Sequence, residues 1–149
     1  MRVLLDTNII IDVALERQPF YTSSVQVLTF AYRDTVDAFI SASTASDIYY
    51  LIRKAKGHEA TLEFLRIIAS FCRIATVDQT VISNALTSSF KDFEDAVQYE
   101  TAIANQLEAI ATGNCRPEAR ASPQSREIAS ICFSPADNRC LGMGCPSLA

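Results

Sequence analysis

Val3-Leu4-Leu5-Asp6-Thr7-Asn8 is the stretch from which the fold is read. Residues 2–5 form a short aliphatic and β-branched run of the kind that makes a buried strand. The run stops on a carboxylate. Thr7 or Asn8 can cap the apolar segment that follows, residues 9–15, as a short helix. A carboxylate set between a buried strand and an apolar helix is desolvated unless something pairs with it, so Asp6 implies a partner. Asp12, one and a half turns further on, reads as a solvated face residue.

Working outward, Pro19 breaks the chain, and residues 23–32 carry a helical stripe of Val25, Val27, Leu28, Phe30 and Ala31. Residues 38–41 read as a second strand. A helix then starts at Ser43 or Thr44 and runs through Ile48, Tyr49, Leu51 and Ile52 into Arg53-Lys54-Ala55-Lys56 before Gly57. A basic last turn followed by glycine is the expected C-terminal signal. Residues 59–70 are helical, 72–77 a strand, 79–86 and 92–106 helices, and 107–112 a fourth strand. Short strands alternating with helices predict an α/β fold around a parallel sheet. In such sheets ligands gather beyond the carboxyl ends of the strands, at a topological switch point. Asp6 follows the first strand, Thr44 and Asp47 the second, and Thr112 and Asn114 the fourth, so the polar candidates converge on one rim.

The chain has 149 residues and is 49% hydrophobic, enough for one domain with a real core. It holds no apolar run of membrane-spanning length, and the short apolar stretch after Met1-Arg2 is too brief for a secretion signal; a cytoplasmic location and no membrane contact are expected. Five cysteines, an odd number, argue against a disulfide framework. The formal charge of −4 opposes simple nucleic-acid binding, so a nucleic-acid function has to come from acids gathered around bound cations.

The acids that fit such a role are Asp6, Asp47, Asp92 and Asp95. Mg²⁺ and Mn²⁺ prefer oxygen ligands and are commonly held by a few carboxylates plus waters. Two such ions can activate a water and stabilise in-line phosphodiester hydrolysis. Each acid also has a structural explanation. Asp47 lies three residues after Thr44 and Asp95 three after Asp92, both spacings of a capping box. Arg53, Lys54 and Lys56 could touch RNA phosphates, or could simply complement a helix end. His58, the single histidine, reads as a helix-start residue. Tyr49 and Tyr50 read as core or interface, and Cys132, Cys140 and Cys145 lack the spacing of common zinc sites. A phosphatase with Asp6 as nucleophile is disfavoured, because the acid expected two residues later is Asn8.

Val3 to Asp12 resembles the opening motif of PIN domains. Ser41-Ala42-Ser43-Thr44-Ala45-Ser46-Asp47-Ile48-Tyr49-Tyr50-Leu51-Ile52-Arg53-Lys54 is similar to the second motif of one bacterial branch, and Asp92-Phe93-Glu94-Asp95-Ala96-Val97-Gln98 to the third. The resemblance covers residues 1–114. It implies a three-layer α/β/α fold with a short, mainly parallel sheet, and Mg²⁺- or Mn²⁺-dependent RNA cleavage of the kind found in VapC-like toxins. It also implies catalytic roles for Asp6, Asp47 and Asp95, with Asp92 as an extra metal ligand. Thr7, Asn8, Thr44, Thr112 and Asn114 are then supporting residues that orient the acids. RNA, an antitoxin protein and a second copy of the chain, as a homodimer, are the expected partners.

The departure from the family lies after the fourth strand. The usual pattern is Thr-Arg-Asn, two variable residues, then Asp-Phe and a closing strand. This chain reads Thr112-Gly113-Asn114-Cys115-Arg116-Pro117-Glu118, with Pro117 in the place of the fourth acid. The tail, residues 115–149, carries four of the five cysteines and four of the five prolines, has one apolar cluster at 128–133, and reads as irregular, with no convincing last strand. A frameshift near codons 113–116 would produce such a break; translating the downstream frames tests it. A chain without the fourth acid could also be a catalytically weak PIN-like binding module.

Overall fold

The computed structural model describes residues 1–113, 128–133 and 140–141. Arg2–Leu5 forms β1, with Val3, Leu4 and Leu5 buried. Thr7–Ala14 forms α1, and its N-cap is Asp6 rather than Thr7 or Asn8: Oδ1 of Asp6 accepts the Asn8 backbone N–H at 3.4 Å. The next elements are α2 (Tyr21–Tyr32), β2 (Asp37–Ser41), α3 (Ala42–Lys56), α4 (His58–Phe71) and β3 (Arg73–Ala75). They are followed by α5 (Gln79–Thr87), α6 (Phe93–Ala104) and β4 (Ala109–Thr112).

The strands form one sheet in the order β3-β2-β1-β4-β5-β6, where β5 is Ala129–Phe133 and β6 is Cys140–Leu141. The first five are parallel and β6 runs antiparallel to β5. Chain order reverses between β1 and β4, which places the topological switch point beside the end of β1. β5 corrects the expectation of no further strand after β4. The apolar cluster at 128–133 is too short for its period to distinguish strand from helix, and the sheet edge of β4 decides the matter by pairing Ala111 with Ile131.

Successive strand residues face opposite layers, which makes the sheet the middle of three. Val3, Leu5 and Ile40 pack with Ile9, Ile10, Ile48, Ile52 and Ile68 on the side of α1 to α4. Leu4, Phe39 and Ala75 pack with Ala102 and Leu107 on the side of α6. Val81 and Ala85 of α5 meet Ala96 and Val97 of α6 in a smaller cluster. The expected α/β/α architecture is therefore present.

Asp12 departs from the reading as a solvated residue. It is buried, accepts from Ser24 Oγ at 3.1 Å, and lies 3.5 Å from Arg17 Nη1. Packing of α2 across α1 covers it, and the pattern of α1 alone does not reveal that neighbour. Among the described residues no helix is long and apolar enough to cross a membrane.

Candidate active site at the strand ends

Asp6 leaves β1 at the switch point, with its backbone N–H still bonded to Ala111 O of β4 at 3.0 Å. Its carboxylate is held from three elements. Thr112 Oγ1 at the end of β4 donates to Oδ2 at 2.8 Å, Gln98 Nε2 of α6 donates to Oδ1 at 3.4 Å, and the Asn8 N–H of α1 donates to Oδ1 as the cap bond. Asn8 therefore reaches Asp6 through its backbone.

A chain of hydroxyls supports this arrangement. Ser41 caps α3 by accepting the Thr44 N–H at 3.0 Å, and its hydroxyl donates to Thr44 Oγ1 at 2.9 Å. Thr44 Oγ1 lies 3.1 Å from Thr7 Oγ1, which also accepts Gln98 Nε2 at 3.3 Å. Thr44 is thus not the cap of α3. Asp47 sits beyond the first turn, and that turn contains no acid, so the capping-box explanation of Asp47 does not hold.

Asp92 does cap its helix, accepting from the Glu94 N–H at 2.8 Å and the Asp95 N–H at 3.3 Å. Both Glu94 and Asp95 lie in the first turn of α6, and Asp95 is exposed. Glu94 is solvent-exposed, yet partial desolvation raises its carboxyl pKa; the Thr7 hydroxyl opposes the rise, and the charges of Asp6, Asp47 and Asp92 add to it. Asp6 after β1, Asp47 of α3 and Asp92 at the cap of α6 thus all act on Glu94. The sequence does not single out Glu94, because the Asp residues flanking it already account for the motif; its one signal is its place in the first turn, four residues before Gln98 on one helix face.

Other expected residues lie elsewhere. Arg53, Lys54 and Lys56 are exposed in the last turn of α3, with the Arg53 guanidinium 5.7 Å from the Tyr49 ring centroid. They stand roughly 9–14 Å from Asp47 along the helix axis, at 1.5 Å per residue. His58 opens α4, and Nδ1 lies 2.9 Å from the Tyr49 hydroxyl, away from any nucleophile–base arrangement of the rim. Tyr50 is exposed. Cys72 is buried, its thiol pushed up to about 12 by burial, as for an inert core cysteine. Asn114, Pro117, Glu118 and Cys145 lie outside the described residues. Gly113, which stands where the family pattern has Arg, is beside Asp12: a Cβ built there would lie 3.8 Å from Asp12 Oδ2.

A family model for the PIN domain matches residues 2–116. The chain belongs to the PIN domain family. A curated relative of this PIN domain is Ribonuclease VapC1 of Aquifex aeolicus, 26% identical over 103 residues, covering 66% of this chain and 71% of the relative. Among solved structures, VapC20 of Mycobacterium tuberculosis, described as a Sarcin-Ricin loop cleaving toxin, aligns with TM-score 0.58 and 11% identity, covering 72% of this chain and 86% of that one. A toxin-antitoxin complex from Klebsiella pneumoniae aligns with TM-score 0.59 and 24% identity over 78% and 90% of the two chains. VapBC2 from Rickettsia felis, bound to a DNA fragment from its promoter, aligns with TM-score 0.57 and 19% identity over 76% and 89%. These likenesses support the fold.

The donors around the rim suit a hard divalent cation. They are all oxygens, and the charges of Asp6, Asp47 and Asp92 add to the rise that desolvation gives Glu94. Among the described residues no three acidic, histidine or cysteine side chains stand in a ready-made ligand cage. Mg²⁺ does not need one, since it keeps several waters and takes one or two carboxylates directly.

Proposed function

We propose that this PIN domain is a Mg²⁺- or Mn²⁺-dependent endoribonuclease of the VapC type, acting as the toxin of a toxin–antitoxin pair. The observation that carries the reading is the Asp6 carboxylate at the switch point, held by Thr112, Gln98 and the Asn8 N–H, with Asp47 and Asp92 supporting it through their charge on Glu94. Asp6, Asp47 and Asp95 act as the principal cation ligands, Asp92 assists from the helix cap, and Glu94 joins them. When bound, the cation supplies the positive charge that draws in a phosphodiester and lowers the barrier to water attack.

The chain's own residues supply orientation. Thr112 and Gln98 fix the rotation of Asp6, while Thr44 and Thr7 extend a donor chain toward Glu94. Arg53, Lys54 and Lys56 offer charge to an RNA strand running along α3. Exposed Tyr32, Tyr50 and Leu51 provide apolar surface for an antitoxin or a second copy of the chain.

The test is RNA cleavage with Mg²⁺ or Mn²⁺. Cleavage should disappear in EDTA and in Asp6→Asn; persistence in either case refutes the reading. The second reading, a weak or inactive PIN-like binding module, is favoured by Pro117 standing where the fourth acid belongs. Calorimetric Mn²⁺ titration separates the two, since the binding module takes up Mn²⁺ weakly and does not hydrolyse RNA.

A further inference from the structure

Gln98 lies in the second turn of α6, between Val97 and Tyr99, and is only 6% exposed. An amide buried among apolar neighbours is unfavourable unless both ends are bonded. Only one end is. Nε2 is shared between Asp6 Oδ1 at 3.4 Å and Thr7 Oγ1 at 3.3 Å, both near the long limit of hydrogen bonding. Oε1 has no partner, and among the described residues it is the sole buried side-chain oxygen or nitrogen in that condition. Turning the amide over would set Oε1 against the Asp6 carboxylate, oxygen to oxygen, so the chemistry of Asp6 fixes Nε2 as the atom that faces it.

An apolar side chain of the same length would fill this place with no orphaned oxygen. The amide is therefore explained by what it does for Asp6. We propose that Gln98 is a positioning residue for the Asp6 carboxylate: its neutral N–H pins Oδ1 and ties the acid of β1 to the acids at the start of α6. The inference rests on the cation-dependent reading of the site. Neutrality matters because a charged donor here would compete with the cation for Asp6, whereas a carboxylate would add to the repulsion around Glu94.

The experiment is calorimetric titration of the full chain with Mn²⁺ alone, paired with thermal melts in its absence. In Gln98→Met, which keeps the length and removes the donor, the Mn²⁺ dissociation constant should rise about 10-fold or more, the usual range for loss of a ligand-orienting group. Its cation-free melting temperature should stay level or rise, because the orphaned oxygen is gone. Gln98→Glu should melt lower than wild type without cation and gain more than wild type from Mn²⁺. Unchanged affinity in Gln98→Met, within about twofold where orienting groups usually change it tenfold or more, overturns the inference. A drop in melting temperature together with affinity marks a structural role and overturns it too. Should Gln98→Met not fold, a Gln98→Glu variant that responds to Mn²⁺ no more than wild type overturns it. A folded wild type that binds no Mn²⁺ overturns this inference and the metal-dependent function together, whereas tight wild-type binding with an unaffected Gln98→Met overturns this one alone.

Discussion

Replacing Thr44 by Val tests whether the hydroxyl chain under the acids is a directed structure. The Ser41 hydroxyl at its start sets the direction. Ser41 donates to Thr44 Oγ1 at 2.9 Å, so Thr44 has its own proton left for another acceptor. Thr7 Oγ1, 3.1 Å away, is that acceptor. Thr44 is 1% exposed, so no bulk water replaces a lost partner. Val preserves the β-branched shape and removes the middle link. Ser41 loses little, because Ser43 Oγ lies 2.8 Å away as an alternative acceptor. Thr7 loses one of two donors and keeps Gln98.

At about 1 kcal/mol net for each buried neutral hydrogen bond, the loss is about 1–2 kcal/mol. In a domain of this size that lowers the melting temperature by roughly 3–8 °C. Thr44→Ser, which keeps the hydroxyl, should recover most of the loss. The decisive assay is a double-mutant cycle with Thr7→Val, read by thermal or urea melts, where touching residues couple by about 0.5 kcal/mol or more. Additive losses, to within about 0.3 kcal/mol, would mean that the two threonines do not share a hydrogen bond and would refute the directed chain.

Two further outcomes follow from Asp12 and its neighbour. Burial raises the Asp12 carboxyl against the opposing effects of Ser24 and Arg17, with Asp6 adding to the rise. Between its ordinary value of 3.8 and its raised folded value, the native state keeps a proton that the unfolded chain has released, so Asp12 makes stability fall as pH rises through that window. Urea melts across acidic to neutral pH should show that slope removed in Asp12→Asn; an unchanged slope contradicts the burial argument. At Gly113, the backbone is not left-handed and, among the described residues, a Cβ meets only Asp12 Oδ2 at 3.8 Å. Gly113→Ala should therefore stabilise by about 0.4–1 kcal/mol through the unfolded chain. Gly113→Ser should add a hydrogen bond to Asp12 on top of that. A Gly113→Ala variant that melts below wild type would show that the position has no room for a side chain.

Much of this molecule could be read before its coordinates. The alternation of short strands and helices gave the layers, because a fully buried parallel strand has to be a short apolar run and an amphipathic helix has to show its stripe. The boundaries were less legible. Asp6 displaced the expected caps of α1, and Ser41 displaced those of α3, since several adjacent residues can accept the same N–H and only the backbone path selects one. β5 is illegible in the sequence for a related reason: residues 128–133 carry too few positions for a period, and their strand identity comes from the open edge of β4.

The acids show why cap and ligand are hard to separate by sequence. Both uses place a short carboxylate at a helix start, and Asp92 serves as a cap while its charge still acts on Glu94. Asp47 loses its reading as part of a cap because Ser41, not Thr44, caps α3. The least legible group was the neutral one. Gln98 looks like an ordinary helix former in Asp92-Phe93-Glu94-Asp95-Ala96-Val97-Gln98, since nothing local shows that its amide is buried or that Asp6, 92 residues earlier, lies beside it. Charged residues identify themselves by their rarity in apolar surroundings. A neutral donor gains its meaning from the charge that the fold brings to it, so positioning residues of this kind have to be sought from the acid outward.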